Sequence, residues 1–371
     1  MKVLQVLPEL NSGGVERGTL ELAGHLASLG HPSLVLSGGG RMVGELEAAG
    51  SRHIQLPVGR KSPASLLLVP RLRRLLETER PDILHLRSRV PAWLLWMAWR
   101  KLPPSRRPRL VTTVHGFYSV SRWSAIMCRG ERVICVSESI HDYVREHYPE
   151  TPPGRLRVVP RGVDPLAYPH GFQPAAEWLD RFHREFPETV GKRLLTLPGR
   201  ITRLKGHEDF VTILRQLAGR EDLHGLVVGG ADPRKQRYAA EIRELVDQAG
   251  LSRRITFTGN RTDLREILAI SSLVLSLTRQ PESFGRTTLE ALSLGIPVAG
   301  YAHGGVEEQL RALYPAGLLP ALDPESALPV IRQLLDEPPP VPTDNPFTLR
   351  RMLDGTLEVY DELTGGSPPA P

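Results

Sequence analysis

Pro281-Glu282-Ser283-Phe284-Gly285-Arg286-Thr287-Thr288-Leu289-Glu290-Ala291-Leu292 is the stretch on which the fold turns. An apolar run, Leu273–Leu277, precedes it, and Ser293-Leu294-Gly295-Ile296 leads on to a second run, Pro297–Tyr301. Short apolar runs bounded by turn residues are buried strands, and Arg286–Leu294 between them reads as a helix. Strand, turn, helix and strand make the repeating unit of a parallel sheet flanked by helices. Ser283, Phe284 and Gly285 open the helix, where free backbone N–H groups and the helix dipole suit a phosphate. Glu290, on the helix, can accept hydrogen bonds from ribose hydroxyls, and Glu282, at the strand end, would sit beside a sugar. The alternative is an ordinary surface helix start carrying two solvated acids.

The same alternation runs outward in both directions. In the first half the strand candidates are Val3–Leu7, Ser33–Ser37, His53–Pro57, Asp82–Leu86, Leu110–His115, Arg132–Ser137 and Leu156–Pro160. Helical stretches lie between them, such as Val15–Leu29, where Leu22, Leu26 and Leu29 share a face and Gly30 supplies a C-cap. Turn residues dominate from Arg161-Gly162-Val163-Asp164-Pro165 through Pro174, an expected interdomain linker. The pattern then restarts, with further strands expected at Leu194–Leu197, Gly225–Val228 and Ile255–Thr258, and helices at His207–Leu217, Lys235–Ala249 and Leu264–Ile270. After the Pro-rich Pro338–Pro346, one more helix is expected at Phe347–Leu363. The chain thus divides into an α/β domain over residues 1–168, a second over 169–345, a helix at 346–364 and a disordered tail at 365–371. Ligands of doubly wound sheets sit at the carboxyl ends of the strands, so the two domains are expected to share one ligand across a cleft.

Composition agrees with this division. A chain of 371 residues exceeds one ordinary core and suits two. With 40% hydrophobic and 24% charged residues it is globular rather than disordered. No apolar stretch approaches the roughly 20 residues that cross a bilayer, and Val3–Leu7, broken at Pro8, reads as a strand rather than a signal peptide. The two cysteines, Cys128 and Cys135, fit neither a disulfide framework nor a metal site, so a cytoplasmic protein with reduced thiols is expected. The net charge of +6 is uneven: residues 1–165 hold 24 Lys+Arg against 14 Asp+Glu, which leaves the remainder net acidic. That basic half either meets an anionic partner or serves solubility.

Other motifs fall at strand ends. Pro198-Gly199-Arg200-Ile201-Thr202-Arg203-Leu204-Lys205-Gly206 directly follows a strand. Arg200 and Lys205 can neutralise a diphosphate there, and fixed cations stabilise a departing nucleoside diphosphate as its charge develops; the alternative is a solvated basic loop. Asn11-Ser12-Gly13-Gly14 lacks the spacing of dinucleotide folds and of the P-loop. It fits a close backbone approach to a ligand and a plain tight turn equally. His115 ends a strand, although a lone strand-end histidine is more often structural. Gly304-Gly305 with Glu307 and Glu308 would line the same ligand site as Glu282, and Asn260-Arg261 would meet a nucleotide base. Within Val90–Arg109, Trp93, Trp96 and Trp99 share one side of a helix, Leu94 and Leu95 broaden the apolar surface, and Arg100, Lys101, Arg106, Arg107 and Arg109 follow. The segment suits a membrane interface, with cations on anionic lipid, or a core helix followed by a basic loop.

Together the Asn11–Gly14 loop, His115, Arg161–Asp164, Gly199-Arg200 with Lys205-Gly206, and Glu282 to Glu290 with its continuation to Val298 resemble the retaining glycosyltransferases of family 4. These have the GT-B fold, two Rossmann-like doubly wound domains facing across a cleft. The opening Val3–Pro8 and the Pro198–Gly206 phrase resemble the proteobacterial enzymes of lipopolysaccharide-core synthesis. The resemblance implies sugar transfer from a nucleotide diphosphate sugar, a UDP-sugar favoured, to a membrane-associated glycolipid, with the anomeric configuration retained and the leaving phosphate taking the acceptor proton. Arg200 and Lys205 would grip the donor diphosphate, helped by the Gly13-Gly14 and Phe284-Gly285 backbone. Glu290 would hold the ribose, Glu282 would lie near the donor sugar, and His115 would contact its hydroxyls. The first domain would take the acceptor and the second the donor, and the last helix would cross back to the first. No metal and no cofactor is implied, and no Asp-x-Asp stands in the expected place. The partners implied are the nucleotide sugar, the glycolipid acceptor and an anionic inner-membrane surface, with no nucleic acid, for a monomer. Two rivals share parts of this pattern. A nucleotide-sugar epimerase would work acid/base chemistry on the sugar without an acceptor. A two-lobed sugar-binding protein would not need the cation pair beside the two glutamates.

Overall fold

The apolar runs of the first half do not alternate with polar residues because most are buried on both faces, as strands of a covered parallel sheet are. In the computed structural model this half contains β1 (Val3–Val6), α1 (Gly14–Ser28), β2 (Ser33–Ser37), α2 (Val43–Ala48), β3 (Arg52–Gln55), α3 (Val69–Glu79), β4 (Ile83–Leu86), α4 (Arg89–Arg100), β5 (Arg109–Val114), β6 (Arg132–Cys135), α5 (Glu138–His147) and β7 (Leu156–Val158). The second half contains α6 (Ala176–Glu185), β8 (Arg193–Pro198), α7 (His207–Gln216), β9 (Leu223–Val228), α8 (Gln236–Gln248), β10 (Ile255–Gly259), α9 (Leu264–Ala269), β11 (Ser271–Ser276), α10 (Arg286–Ser293), β12 (Val298–Tyr301), α11 (Gly304–Leu313), β13 (Leu318–Leu319) and α12 (Pro324–Asp336), and α13 (Leu349–Thr364) follows. The structure describes residues 1–11, 13–232, 236–320 and 322–365. Ser12, the expected helix start at Lys235 and the expected tail after Gly365 lie outside these residues.

Two sheets result, each wholly parallel: β3-β2-β1-β4-β5-β6-β7 and β10-β9-β8-β11-β12-β13. Both faces of the first are sealed. On β2, Leu34 and Leu36 join Leu4, Leu72 and Leu95 in one cluster, while Val35 points the other way to Leu20 and Ala23. In each sheet the strand order reverses once, between β1 and β4 in the first and between β8 and β11 in the second. Adjacent loops diverge at such a reversal and open a crevice outside the carboxyl ends of the strands.

The chain forms two units, Met1–Arg161 with Arg350 onward, and Gly162–Leu349. The return of α13 to the first unit, expected from the sequence, is fixed by specific contacts. Tyr360 Oη lies 2.6 Å from His85 Nδ1, and the Glu362 carboxylate takes Arg132 at 2.5 Å and Arg157 at 2.8 Å. Those two guanidiniums, Arg157 first, hold the Glu362 carboxyl below its ordinary range. Residues 162–174, the expected linker, belong to the second unit and pack on it. Val163 N–H donates to Phe347 O (3.0 Å), Gly171 N–H to Leu294 O (2.9 Å) and Ser293 Oγ to Tyr168 O (2.9 Å). Turn-forming composition reported loop conformation correctly but carries no information on packing. Two-residue β13 escaped the sequence reading because so short a strand has no period.

Candidate functional site

Three glycines build the switch point of the second sheet. Gly199 after β8 and Gly229 after β9 have φ of 138° and 150°, and a Cβ on Gly229 would stand 2.1 Å from Gly199 O. Gly206, with φ of 70°, starts α7, and a Cβ there would stand 2.0 Å from Leu277 O. The segment Arg200–Lys205 is thereby pressed against the carboxyl end of β11. Arg200 is exposed and has no ion pair among the described residues. Lys205 donates to Glu282 Oε1, the two side chains being 32% and 25% exposed. The sequence placed cation and carboxylate at one ligand; the structure joins them directly.

The Glu282–Gly285 turn is clamped from below by the start of α11. Gly305 N–H donates to Glu282 O at 2.8 Å, and a Cβ on Gly305 would meet Phe284 Cα at 2.4 Å. A Cβ on Gly304 would meet Glu282 O at 2.6 Å. The Gly304-Gly305 pair therefore lets two helix starts meet rather than merely lining the site. Gln309 Nε2 donates to Phe284 O, and Phe284 is buried against Phe347 with ring centroids 5.7 Å apart. Gly285, at φ 86°, begins α10, whose first N–H groups have no intrahelical acceptor. Glu290, one turn further and 7% exposed, accepts from Arg286 Nε at 2.9 Å. It is therefore not a solvated acid. Asn260 Oδ1 accepts from Gly230 N–H at 2.9 Å, beside the same crevice. Arg261 differs from its expected role. Its guanidinium binds both oxygens of Asp263 (2.9 and 2.8 Å) and Glu185 (2.7 Å), which raises its own pKa and holds the Asp263 carboxyl below its ordinary range. These bonds fasten α6 to the start of α9 and leave the guanidinium committed there.

In the first unit the β1/β4 switch point carries a buried cationic cluster. Arg87, immediately after β4 and 3% exposed, donates through Nη1 to Gln5 Oε1 at 3.0 Å. Burial lowers its pKa to about 10, and Tyr360, Glu21 and Glu16 oppose that shift. Arg161 Nη2 lies 2.6 Å from His115 Nδ1. Both guanidiniums crowd α1 at Gly18, where a Cβ would stand 2.4 Å from Arg161 Nη1. Burial first, then the charges of Arg161 and Arg87, push His115 well below its ordinary pKa. The imidazole is therefore neutral near pH 7. A guanidinium only donates, so Nδ1 must accept and the proton resides on Nε2. That Nε2 is buried and without a partner, a donor whose desolvation is uncompensated until an acceptor takes it. The sequence reading quoted Arg161 without a role and missed Arg87. The available signal was an arginine directly following a short strand that is apolar except for His85.

The N-terminal glycine loop separates into two roles. Gly13 caps α1 at φ 139°, a conformation that favours glycine, whereas a Cβ on Gly14 would meet nothing within 4 Å. The turn requires Gly13, and Gly14 leaves open space at the helix start. On α4, Leu94 and Leu95 face the core, which corrects the expectation that they widen an exposed apolar surface. The three tryptophans are half-buried. Trp99 Nε1 donates to Pro108 O at 2.8 Å, Arg100 and Arg129 lie over Trp96, and Arg107 lies over Trp99. Cys128 and Cys135 are buried free thiols, and burial raises them to about 11 and 12. Among the described residues no helix is long and apolar enough to cross a membrane.

Comparison with known proteins matches the sequence to two family models, Glycosyltransferase Family 4 over residues 12–165 and Glycosyl transferases group 1 over residues 180–346. The chain is similar over 99% of its own length and 99% of the other's to a glycosyltransferase from Rickettsia africae, with TM-score 0.85 and 27% identity. HepE from Anabaena, solved with UDP and glucose, shares the fold at TM-score 0.77 and 18% identity over 98% of this chain and 100% of HepE. Among curated relatives, the N-acetyl-alpha-D-glucosaminyl L-malate synthase of Bacillus anthracis is 24% identical over 69% of this chain and 66% of its own length. The lipopolysaccharide core biosynthesis mannosyltransferase LpsB of Rhizobium meliloti is 32% identical over 34% of this chain and 39% of its own length. The matches therefore span two thirds or less of these curated relatives.

Proposed function

Because this chain belongs to the family 4 glycosyltransferases of GT-B fold, we propose that it transfers a sugar from a nucleoside diphosphate donor, a UDP-sugar favoured, to a membrane-associated glycolipid, the lipopolysaccharide core being the favoured acceptor. The observation that carries the reading is the β8/β11 crevice of the second unit. It brings an exposed Arg200, the Lys205–Glu282 pair, the open start of α10 and the buried Glu290 to one sheet edge. A diphosphate there would draw Lys205 from Glu282 and gain the α10 N–H groups. Glu290 would accept from the ribose. The sugar C1–O bond to the diphosphate breaks, a bond forms from C1 to the acceptor oxygen on the same face, and the acceptor proton passes to the departing phosphate oxygen. Fixed cations stabilise the charge that develops on that oxygen. In the first unit, His115 offers its Nε2–H to a sugar hydroxyl oxygen, with Arg161 fixing the tautomer.

The LpsB match supports a lipopolysaccharide-type acceptor, and HepE's bound UDP supports the choice of base. The same reading places anionic lipid at the far end of α4, where Arg100, Lys101 and Arg106 are exposed, and sedimentation with anionic vesicles tests that part. The decisive test of the whole is a melting series with UDP, GDP, ADP and their sugars. A native-state ligand at 100 times its Kd stabilises by about 2.7 kcal/mol, so UDP and one UDP-sugar should raise Tm by several degrees. No shift with any nucleotide would refute donor binding.

A further inference from the structure

A second recess lies wholly in the first unit and has the opposite character from the donor crevice. It encloses about 890 Å³, within the range of ligand pockets. Pro8 follows β1, Ser88 and Arg89 follow β4, and all three line it, so it opens at the carboxyl edge beside the strand-order reversal. Leu66, Trp93, Met97 and Trp123 make its walls. Trp93 and Trp123 stack with centroids 5.4 Å apart and an interplanar angle of 22°, and Trp93 Nε1 donates to Trp123 O at 2.9 Å. The wall is thus rigid, and that indole N–H needs nothing from a ligand. Trp123 and Leu66 nonetheless remain 50% and 53% exposed. A Cβ on Gly59 would stand 2.7 Å from Pro8 Cβ, so the loop carrying the next residues is drawn tight over the mouth. Those residues are Arg60 and Lys61, both exposed, and Arg89 lies on the rim with its guanidinium on Tyr118 and Ser124. No carboxylate lines the recess, and among the described residues none pairs with these three cations.

An apolar slot with a purely cationic mouth selects a molecule with an aliphatic part and an anionic group. We infer that this recess binds the apolar stem of an anionic amphiphilic acceptor, whose phosphate or carboxylate rests against Arg60, Lys61 and Arg89. The assignment rests on the proposed glycosyl transfer in one respect, that the bound amphiphile is the acceptor. Trp93 thereby leaves the stripe that the sequence suggested for a membrane face. Six residues along α4, roughly 9 Å, separate it from Trp99, and the basic run from Arg100 lies at the opposite edge of the sheet.

Monomeric alkyl phosphates are the probe, followed by tryptophan fluorescence and calorimetry on the full chain. Each methylene buried is worth about fourfold in affinity, so dodecyl phosphate should bind on the order of 10²-fold tighter than octyl phosphate. Dodecyl maltoside and inorganic phosphate should each bind at least tenfold more weakly than dodecyl phosphate. Leu66→Asp should abolish the chain-length dependence, and Lys61→Glu with Arg60→Glu should remove the preference for the anion, with UDP affinity unchanged in both. Equal affinity for the octyl and dodecyl compounds, or binding that survives Leu66→Asp, overturns the assignment. So does a concentration-dependent dimer that Leu66→Asp disperses, which would make the recess a contact between copies. Binding to anionic vesicles without binding to the monomeric amphiphile also overturns it, in favour of membrane docking. Loss of UDP binding in the wild type, with alkyl phosphate binding intact, would instead refute the donor reading and leave the recess standing.

Discussion

Replacing Lys205 by methionine separates what this side chain does for the fold from what it does for the reaction. Among the described residues Lys205 donates to Glu282, and the two side chains are 32% and 25% exposed. A pair so close to water contributes roughly 0–1 kcal/mol, and methionine keeps most of the stem that packs beside Gly199. For a unit of this size 1 kcal/mol moves Tm by about 2–4 °C, so Lys205→Met should melt within that interval of the wild type. In the transition state the same ammonium faces a diphosphate whose charge is growing. Loss of one such donor costs about 2.7–4 kcal/mol, or 10²–10³ in kcat. The assay is kcat and KM with the nucleotide sugar found by melting, alongside UDP calorimetry and a thermal scan. The expected pattern is a kcat loss well beyond the loss in UDP affinity, with a small Tm change. A kcat/KM within threefold of wild type refutes the diphosphate assignment. A Tm drop beyond 10 °C would show that the Lys205–Glu282 pair is structural.

Gly206→Ala introduces a left-handed alanine and a Cβ 2.0 Å from Leu277 O, so urea unfolding should show a loss of about 2–5 kcal/mol; a loss under 0.5 kcal/mol would mean that the α7 start is free to shift. His85 and His115 are both pushed well below their ordinary pKa, by burial above all. The unfolded chain takes up their protons first, so their contribution to stability is whole above about pH 6.5 and declines as pH falls below it. Each histidine adds a slope approaching about 1.4 kcal/mol per pH unit. Fluorescence-monitored urea midpoints should therefore drop between pH 7 and pH 5, since four of the five tryptophans, Trp93, Trp96, Trp99 and Trp123, lie in the first unit. A flat profile would mean that these imidazoles are not held neutral. Activity should persist in excess chelator because Arg200 and Lys205 supply the positive charge that a divalent ion supplies elsewhere; abolition by chelator with rescue by magnesium would contradict it.

Local order in the chain settled a good deal by itself. Apolar runs bounded by turn residues announced two parallel sheets, because a strand covered on both faces is apolar along its whole length. Gly285 was legible as the opening of a helix, with Glu282 before it and Glu290 on it, whereas the positive φ of Gly199, Gly206 and Gly285 came only from the folded backbone. The last helix, after the proline-rich stretch, was legible from its period. Side-chain partners were not, because they come from residues far apart in sequence. Arg261 belongs to Asp263 and Glu185, 76 residues apart in the latter case. His115 owes its tautomer to Arg161, 46 residues on. The tryptophans of α4 show the same limit. Helical spacing put Trp93, Trp96 and Trp99 on one side, yet only the packed sheet decides that Leu94 and Leu95 face the core and that Trp93 turns to Trp123. Period and turn chemistry are properties of neighbours along the chain, and they determined the architecture and the loops that carry the chemistry. Which cation stays exposed, which carboxylate is buried and which imidazole nitrogen holds a proton depend on desolvation and distance in three dimensions, and only the tertiary structure decided them.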